Sequence, residues 1–201
     1  AGMPLVRLCR FAQEHALSGL EFAFGIPGSV GGAAFMNAGA YDGQMADVLQ
    51  TATVIDADGA SREVSADELA LGYRHSALMD TGEVVSRVTL RLHPAEKEAI
   101  TEKMTALIAR RREKQPLEYP SAGSFFKRPT GQYAGALIEQ CGLKGFAVGG
   151  AAVSEKHAGF IVNTGGATAA DIRALAEAVI ARVKATTGVT LQPEVRFIGE
   201  F

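Results

Sequence analysis

The sequence predicts an α+β fold, and three observations carry that prediction. Strand-like and helix-like segments follow one another without the regular strand-helix-strand alternation of a parallel sheet. The pair Asp58-Gly59 sits between two short runs of strand character, which is a hairpin signal. The strongest helical period lies near the C-terminus, where Ile172, Leu175, Ala176, Val179, Ile180 and Val183 recur at three- and four-residue spacing. With 201 residues, 47% hydrophobic and 21% charged, the chain can bury one large or two small cores.

Pro4 suits the first position of a helix in which Leu5, Leu8, Cys9 and Ala12 share a face, and that helix is expected to stop near Ser18-Gly19. A glycine-rich loop comes next. From about Val48 the pattern turns to strand: Ala52 to Ile55, the Asp58-Gly59 turn, then Arg62 to Val64. Ser65 with Glu68 forms the capping box of a short helix. Val88, Leu90 and Leu92 alternate with Arg87, Thr89 and Arg91, the period of a strand with one buried face, which ends at His93-Pro94. A long charged helix over 95–115, with Ile100, Met104, Leu107 and Ile108 as its apolar stripe, is stopped by Pro116. The domain boundary is placed there, with residues 1–94 as one domain, 95–201 as the second and 95–115 as the linking helix. Further on, 133–140 reads as helix and Ala151 to Val153 and Phe160 to Val162 as short strands. Thr168 with Asp171 caps the last helix, and Gly188 takes its C-terminal position.

A formal net charge of -2 and a pI near 6.1 leave no electrostatic footprint for nucleic acid, and Arg110-Arg111-Arg112 reads as a solvated helix face. Two cysteines, Cys9 and Cys141, are too few for a disulfide framework and lack metal or redox spacing, which fits a reducing cytoplasm and no metal. No apolar run reaches the roughly 18 to 20 residues that cross a bilayer, and no signal peptide opens the chain, so a soluble, cytoplasmic protein, monomeric by default, is expected. The opening Ala1-Gly2-Met3-Pro4 lacks an initiator methionine and enters a helix almost at once, which reads as a start inside a longer protein.

Four segments offer chemistry. In Ser121-Ala122-Gly123-Ser124-Phe125-Phe126-Lys127-Arg128-Pro129, a serine follows glycine and precedes two aromatics and two cations. A hydroxyl in an apolar wall beside positive charge can deliver a proton to a forming carbanion, although packing alone also explains such a segment. No GxSxG elbow surrounds Ser124, which disfavours acyl transfer. Gly25 to Ala33 lets backbone approach a ligand closely, with amides open to phosphate, or else forms a tight structural turn. Arg74, after Leu71-Gly72-Tyr73, could fork onto a carboxylate or make a loose surface ion pair. Glu194, between Pro193 and Val195, sits at the start of a strand-like alternation, where pairing with Arg196 could be purely structural.

Five segments in order, Gly25 to Ala33, Asn37-Ala38-Gly39-Ala40-Tyr41, Gly72 to Ser76, Ser121 to Pro129 and Gln192 to Gly199, resemble the UDP-N-acetylenolpyruvoylglucosamine reductases, flavoenzymes of peptidoglycan precursor synthesis. The likeness runs from about Leu5 to the C-terminus and covers about two thirds of the family's usual length. It implies the remainder of a two-subdomain FAD-binding domain of the PCMH/VAO type, followed by a smaller α+β substrate domain. It implies FAD as cofactor, NADPH as co-substrate and UDP-N-acetylglucosamine enolpyruvate as substrate. Flavin contacts would come from Gly25, Ile26, Pro27, Gly28, Ser29, Val30, Gly31, Gly32, Ala33, Asn37, Gly39, Ala40 and Tyr41. Arg74 would hold the enolpyruvyl carboxylate, Ser124 would donate the proton and Glu194 would assist it. Lys114, Lys127 and Arg128 would meet the substrate. With only His93-Pro94 between strand and helix, the chain resembles the subgroup without a tyrosine-bearing loop. Nothing matches the family's N-terminal flavin subdomain, so the rival expectation is a non-catalytic fragment that binds nucleotide sugar without flavin. A flavin-dependent carbohydrate oxidase is a third.

Overall fold

Pro4 leads into helix α1 (Leu5–Glu14), which buries Leu5, Cys9 and Ala12 on one face. The computed structural model describes residues 1–41 and 43–199. The helix ends earlier than expected: Ala16 turns left-handed at φ 55°, and the chain leaves as strand β1 (Leu17–Ser18). Apolar spacing cannot signal such a stop, because Leu17 still faces inward after the turn.

Part of the expected glycine-rich loop is helical. Ser29 caps α2 (Val30–Phe35) by accepting the Gly32 N–H at 3.1 Å, and Val30, Ala33 and Ala34 are buried. A small ladder comes next, β2 (Gly39–Ala40) with β3 (Gly43–Gln44). The predicted hairpin is β4 (Leu49–Ile55) with β5 (Ser61–Ser65), turned at Gly59 with φ 83°. The Ser65–Glu68 box forms its reciprocal bonds, the Ser65 N–H to Glu68 Oε2 at 2.8 Å and the Glu68 N–H to Ser65 Oγ at 3.2 Å. Beyond the box the chain makes a turn ending at Ala70, φ 45°, in place of the expected helix. After α3 (Leu78–Thr81), β6 (Val84–Leu90) pairs with β4 to complete a three-stranded antiparallel sheet in the order β5-β4-β6. Then β7 (His93–Pro94) pairs with β1, and α4 (Lys97–Lys114) begins.

Contacts divide the chain into two units, Ala1–Arg110 and Arg111–Phe201, with α4 running across the division. The first unit has two cores. One gathers Leu5, Cys9, Phe22, Val30, Met45, Ile100 and Met104. The other lies on the sheet, where Ala34, Leu49, Ala52, Val54, Leu69 and Leu78 meet. Each large aliphatic side chain buried this way contributes about 1.5 to 3 kcal/mol.

The second unit is a four-stranded antiparallel sheet in the order β8-β11-β10-β9, built from β8 (Ser121–Ser124), β9 (Ala147–Val148), β10 (Ala151–Val153) and β11 (Phe160–Asn163). Helices α5 (Ala134–Gln140) and α6 (Ala169–Thr187) cover its core of Phe125, Phe126, Leu137, Ile138, Val153, Leu175, Val179 and Val183. The α6 caps are as expected: Thr168 and Asp171 exchange backbone bonds, and Gly188 turns left-handed at φ 76°. The segment around Glu194 is not the strand its alternation suggested. Only an isolated bridge joins Pro193 to Phe126, and Phe197 and Ile198 are exposed, so their apolar alternation marks no buried face within this unit.

Candidate active site

In the first unit the candidate residues are drawn together by a knot of loops. Asn37 is buried and left-handed, φ 42°. Its amide donates to Gln44 Oε1 at 3.1 Å and to the Gly72 carbonyl at 2.9 Å, and its Oδ1 accepts the Ala46 N–H at 2.9 Å. One side chain therefore ties the end of α2, the β3 turn and the Gly72 loop. A second tie comes from Ser76, fully buried, whose hydroxyl donates to the Phe35 carbonyl at 2.7 Å. Between these anchors Arg74 adopts a left-handed conformation, φ 52°, and its Nη2 donates to the Gly39 carbonyl at 3.2 Å. Its guanidinium also lies 5.1 Å from the Tyr73 ring centroid. A non-glycine residue held in this conformation costs roughly 1 to 3 kcal/mol, and such outliers cluster at functional sites.

The glycines of this region separate into two kinds. A side chain on Gly31 would strike Ala1, and one on Gly39 would come within 2.8 Å of the Gly43 carbonyl, so both are glycines because the protein itself fills the space. Gly28, at φ 132°, has nothing within 4 Å of where a Cβ would be. A ligand can approach bare backbone there. The expectation of open amides along the loop needs correcting, because the N-terminal segment, the preceding turn and the first turn of α2 engage most of them. The Ile26, Val30, Gly31 and Ala33 N–H groups donate to backbone carbonyls, and that of Gly32 to Ser29 Oγ. Ala40 and Tyr41 are half-buried, and the Tyr41 ring lies 5.3 Å from the Arg110 guanidinium. Pro27 is exposed. An open backbone stretch at Gly28, bordered by small and apolar residues, fits the edge of a planar, partly apolar group such as a flavin.

In the second unit the glycine before Ser124 has a structural reason. The β8–β11 ladder pairs Ser124 with Phe160 and Ser121 with Val162, so β8 carries an extra residue, and Gly123 takes it up at φ 84°. Bulges of this kind re-aim the next side chain. Phe125 and Phe126 turn into the core while Ser124 is exposed, so the aromatics are packing and the hydroxyl does not lie inside an apolar wall as expected. The Glu194 N–H donates to the Phe125 carbonyl at 2.8 Å, and the Lys127 N–H to the Gln192 carbonyl at 2.8 Å. Ser124 and Lys127 thus share one edge with Glu194, which is distant from both in sequence. Glu194 is half-buried. Arg128 stacks on the exposed Tyr133 ring, 4.1 Å to its centroid, and Lys114 is exposed in the last turn of α4.

His157, a residue to which sequence reasoning assigned no role, lies beside this edge. Its Nδ1 accepts the Gly159 N–H at 3.0 Å, and burial lowers its pKa. Cys9 is excluded as a nucleophile, because burial pushes its thiol up to about 12. Among the described residues no cluster of three His, Cys, Asp or Glu could hold a metal, and no helix is long and apolar enough to cross a membrane.

Residues 1–65 match the FAD binding domain family, and residues 115–198 match the C-terminal domain of UDP-N-acetylenolpyruvoylglucosamine reductase. The chain is 52% identical over 200 residues to UDP-N-acetylenolpyruvoylglucosamine reductase of Streptococcus pneumoniae strain CGSP14, a match covering 100% of the chain and 66% of that protein. For the same enzyme of strain ATCC 700669 / Spain 23F-1, identity is again 52%, with 100% of the chain and 63% of that protein covered. The chain thus spans just under two thirds of these relatives. The crystal structure of UDP-N-acetylenolpyruvylglucosamine reductase from Thermus caldophilus superposes with a TM-score of 0.86 at 42% identity, covering 98% of this chain and 70% of that one.

Proposed function

Since the chain belongs to the UDP-N-acetylenolpyruvoylglucosamine reductase family, we propose that it reduces UDP-N-acetylglucosamine enolpyruvate to UDP-N-acetylmuramate with NADPH, a step of peptidoglycan precursor synthesis and hence of cell shape and division. FAD, when bound, would supply the hydride chemistry that links NADPH to the methylene carbon of the enolpyruvyl group. Residues 1–94 would contribute the flavin-binding part, with the Gly25–Ala33 and Asn37–Tyr41 segments along the ring, and residues 95–201 the substrate-binding part.

The chain's own residues have three tasks. Arg74 grips the substrate carboxylate, where a planar fork matches two oxygens and offsets the negative charge that grows when the neighbouring carbon becomes carbanionic. Ser124 gives its proton to that carbon. Glu194 assists the delivery through the edge it shares with Ser124. Lys114 contacts the substrate, and Lys127 and Arg128 meet the diphosphate of the nucleotide sugar. Two cysteines suit a reducing cytoplasm and a net charge of -2 offers no footprint for nucleic acid, and the chain is taken as a monomer.

The observation that carries this reading is the 2.8 Å bond from the Glu194 amide to the Phe125 carbonyl, which sets a carboxylate residue beside the exposed serine. The test is to supply the flavin-loaded protein with NADPH and the enolpyruvyl nucleotide sugar and follow the product by mass spectrometry. NADPH consumption with a product heavier by one H2 is expected. Binding of the nucleotide sugar without NADPH oxidation would instead favour a non-catalytic sugar-nucleotide binder, and oxygen consumption with simple sugars a carbohydrate oxidase.

A further inference from the structure

The Ser124 hydroxyl and the His157 imidazole flank the same bare α-carbon. A Cβ built on Gly159 would lie 3.0 Å from His157 Cε1 and 3.6 Å from Ser124 Oγ. Gly159 is also the residue on which the serine's strand rests, because the Phe125 N–H donates to its carbonyl at 2.8 Å. What fixes Gly159 is His157. The ring Nδ1 accepts the Gly159 N–H at 3.0 Å, the His157 carbonyl accepts the Phe160 N–H at 3.0 Å, and the ring stands edge-on to Phe160 at 5.0 Å. The turn is anchored from below by buried Ser154, whose Oγ accepts the Lys156 and His157 N–H groups at 3.2 and 3.3 Å. From the other side Gly135, in the first turn of α5, closes on the ring so tightly that a Cβ there would lie 3.2 Å from His157 Cε1.

A ring nitrogen that accepts an N–H bond carries no proton, so this imidazole is neutral with its hydrogen on Nε2. Resting on the reading of Ser124 as proton donor, we propose that His157 is the positioning residue of that donor: its neutral ring, accepting at Nδ1, locks the Gly159 edge that aims the serine hydroxyl. Burial holds the imidazole below its ordinary pKa against an opposing backbone hydrogen bond at His157, and of the nearby charges the Lys144 cation lowers it further while Glu139 raises it. Those two charges face the ring from α5 and the chain just beyond it, and they are themselves paired, Lys144 Nζ to Glu139 Oε1 at 2.6 Å. On the ring's own turn, Lys156 is drawn away to the Arg112 carbonyl and Glu118, and Glu155 lies against Gly145.

The test pairs spectroscopy with kinetics. Nitrogen NMR of the ring should show the neutral Nε2–H tautomer, with the Gly159 and Phe125 amide resonances shifting together as the ring titrates. His157→Leu removes the acceptor and should slow reduction of the enolpyruvyl sugar by about 100-fold, the scale of a small misplacement of a reacting group. It should leave flavin reduction by NADPH unchanged. In His157→Asn a side-chain oxygen can again accept the N–H two residues on, and most of the rate should return. A neutral Nδ1–H tautomer, or a His157→Leu protein that reduces substrate at the wild-type rate while Ser124→Ala does not, would overturn the assignment. If Ser124→Ala also kept the wild-type rate, the proton-donor reading would fail and this assignment with it, whereas the tautomer measurement judges the His157–Gly159 bond by itself.

Discussion

The Arg74 guanidinium donates to the Gly39 carbonyl at 3.2 Å, across 35 residues of sequence. The arginine is held in a left-handed backbone conformation, φ 52°, and its side chain is oriented before any ligand arrives. A preset fork of this kind loses little freedom on gripping a carboxylate. Arg74→Ala is therefore expected to lower kcat/KM for the enolpyruvyl sugar by about 100- to 1000-fold, while flavin content and flavin reduction by NADPH stay as they are. Arg74→Lys should not restore the rate, since an ammonium has no planar fork. Steady-state kinetics with anaerobic flavin reduction as control checks both.

Asn37 holds that arrangement from beneath, through three hydrogen bonds at a buried position. Asn37→Ala leaves the Ala46 N–H and the Gly72 carbonyl without their buried partner, and each such orphan costs about 1 to 3 kcal/mol. Urea unfolding should show a loss of that order. Amide exchange in residues 72–76 should speed up before the rest of the fold is affected.

Gly123 takes up the extra residue of the β8 bulge at φ 84°. Gly123→Ala forces an L-residue into the left-handed region at about 1 to 2 kcal/mol, although a Cβ meets nothing within 4 Å. The strain is backbone and not crowding. A modest fall in melting temperature together with slower substrate reduction is expected. Loss of stability alone would mean that the bulge does not aim Ser124.

Glu21 is buried beside α1, where burial alone would raise its pKa. The Ser18 hydroxyl at 2.6 Å, the Gly19 N–H at 3.1 Å and Lys103 together hold it below its ordinary value of 4.5. A depressed folded-state pKa means that the unfolded chain takes up the proton first. Its stabilising contribution is complete above about pH 4.5 and is lost as pH falls through the folded-state value. Glu21→Gln should flatten the pH dependence of urea stability in that acid window and leave it unchanged near neutrality.

Much of the fold could be read from local chemistry. Asp58-Gly59 produced its hairpin, and Thr168, Asp171 and Gly188 bounded α6, because turns and caps are decided by residues a few positions apart. What stayed hidden depends on distant partners. Ser121-Ala122-Gly123-Ser124 has no strand propensity and becomes β8 only by pairing with β11. Leu17–Ser18 is a strand only because His93–Pro94 lies beside it. Glycines mask α2, because its capping Ser29 sits in a run that equally suits a ligand loop. At the candidate site, residue types pointed to Arg74, Ser124 and Glu194, but no spacing rule could show Asn37 tying three loops or His157 gripping Gly159.

The most direct measurement is a stopped-flow comparison of wild type with Ser124→Ala, in which flavin is first reduced anaerobically by NADPH and the enolpyruvyl nucleotide sugar is then added. With Ser124 as proton donor, the variant's flavin reduces at the normal rate but is reoxidised by substrate more slowly by about 100- to 10,000-fold, the range of a lost general acid. Reoxidation of the variant at the wild-type rate would contradict it.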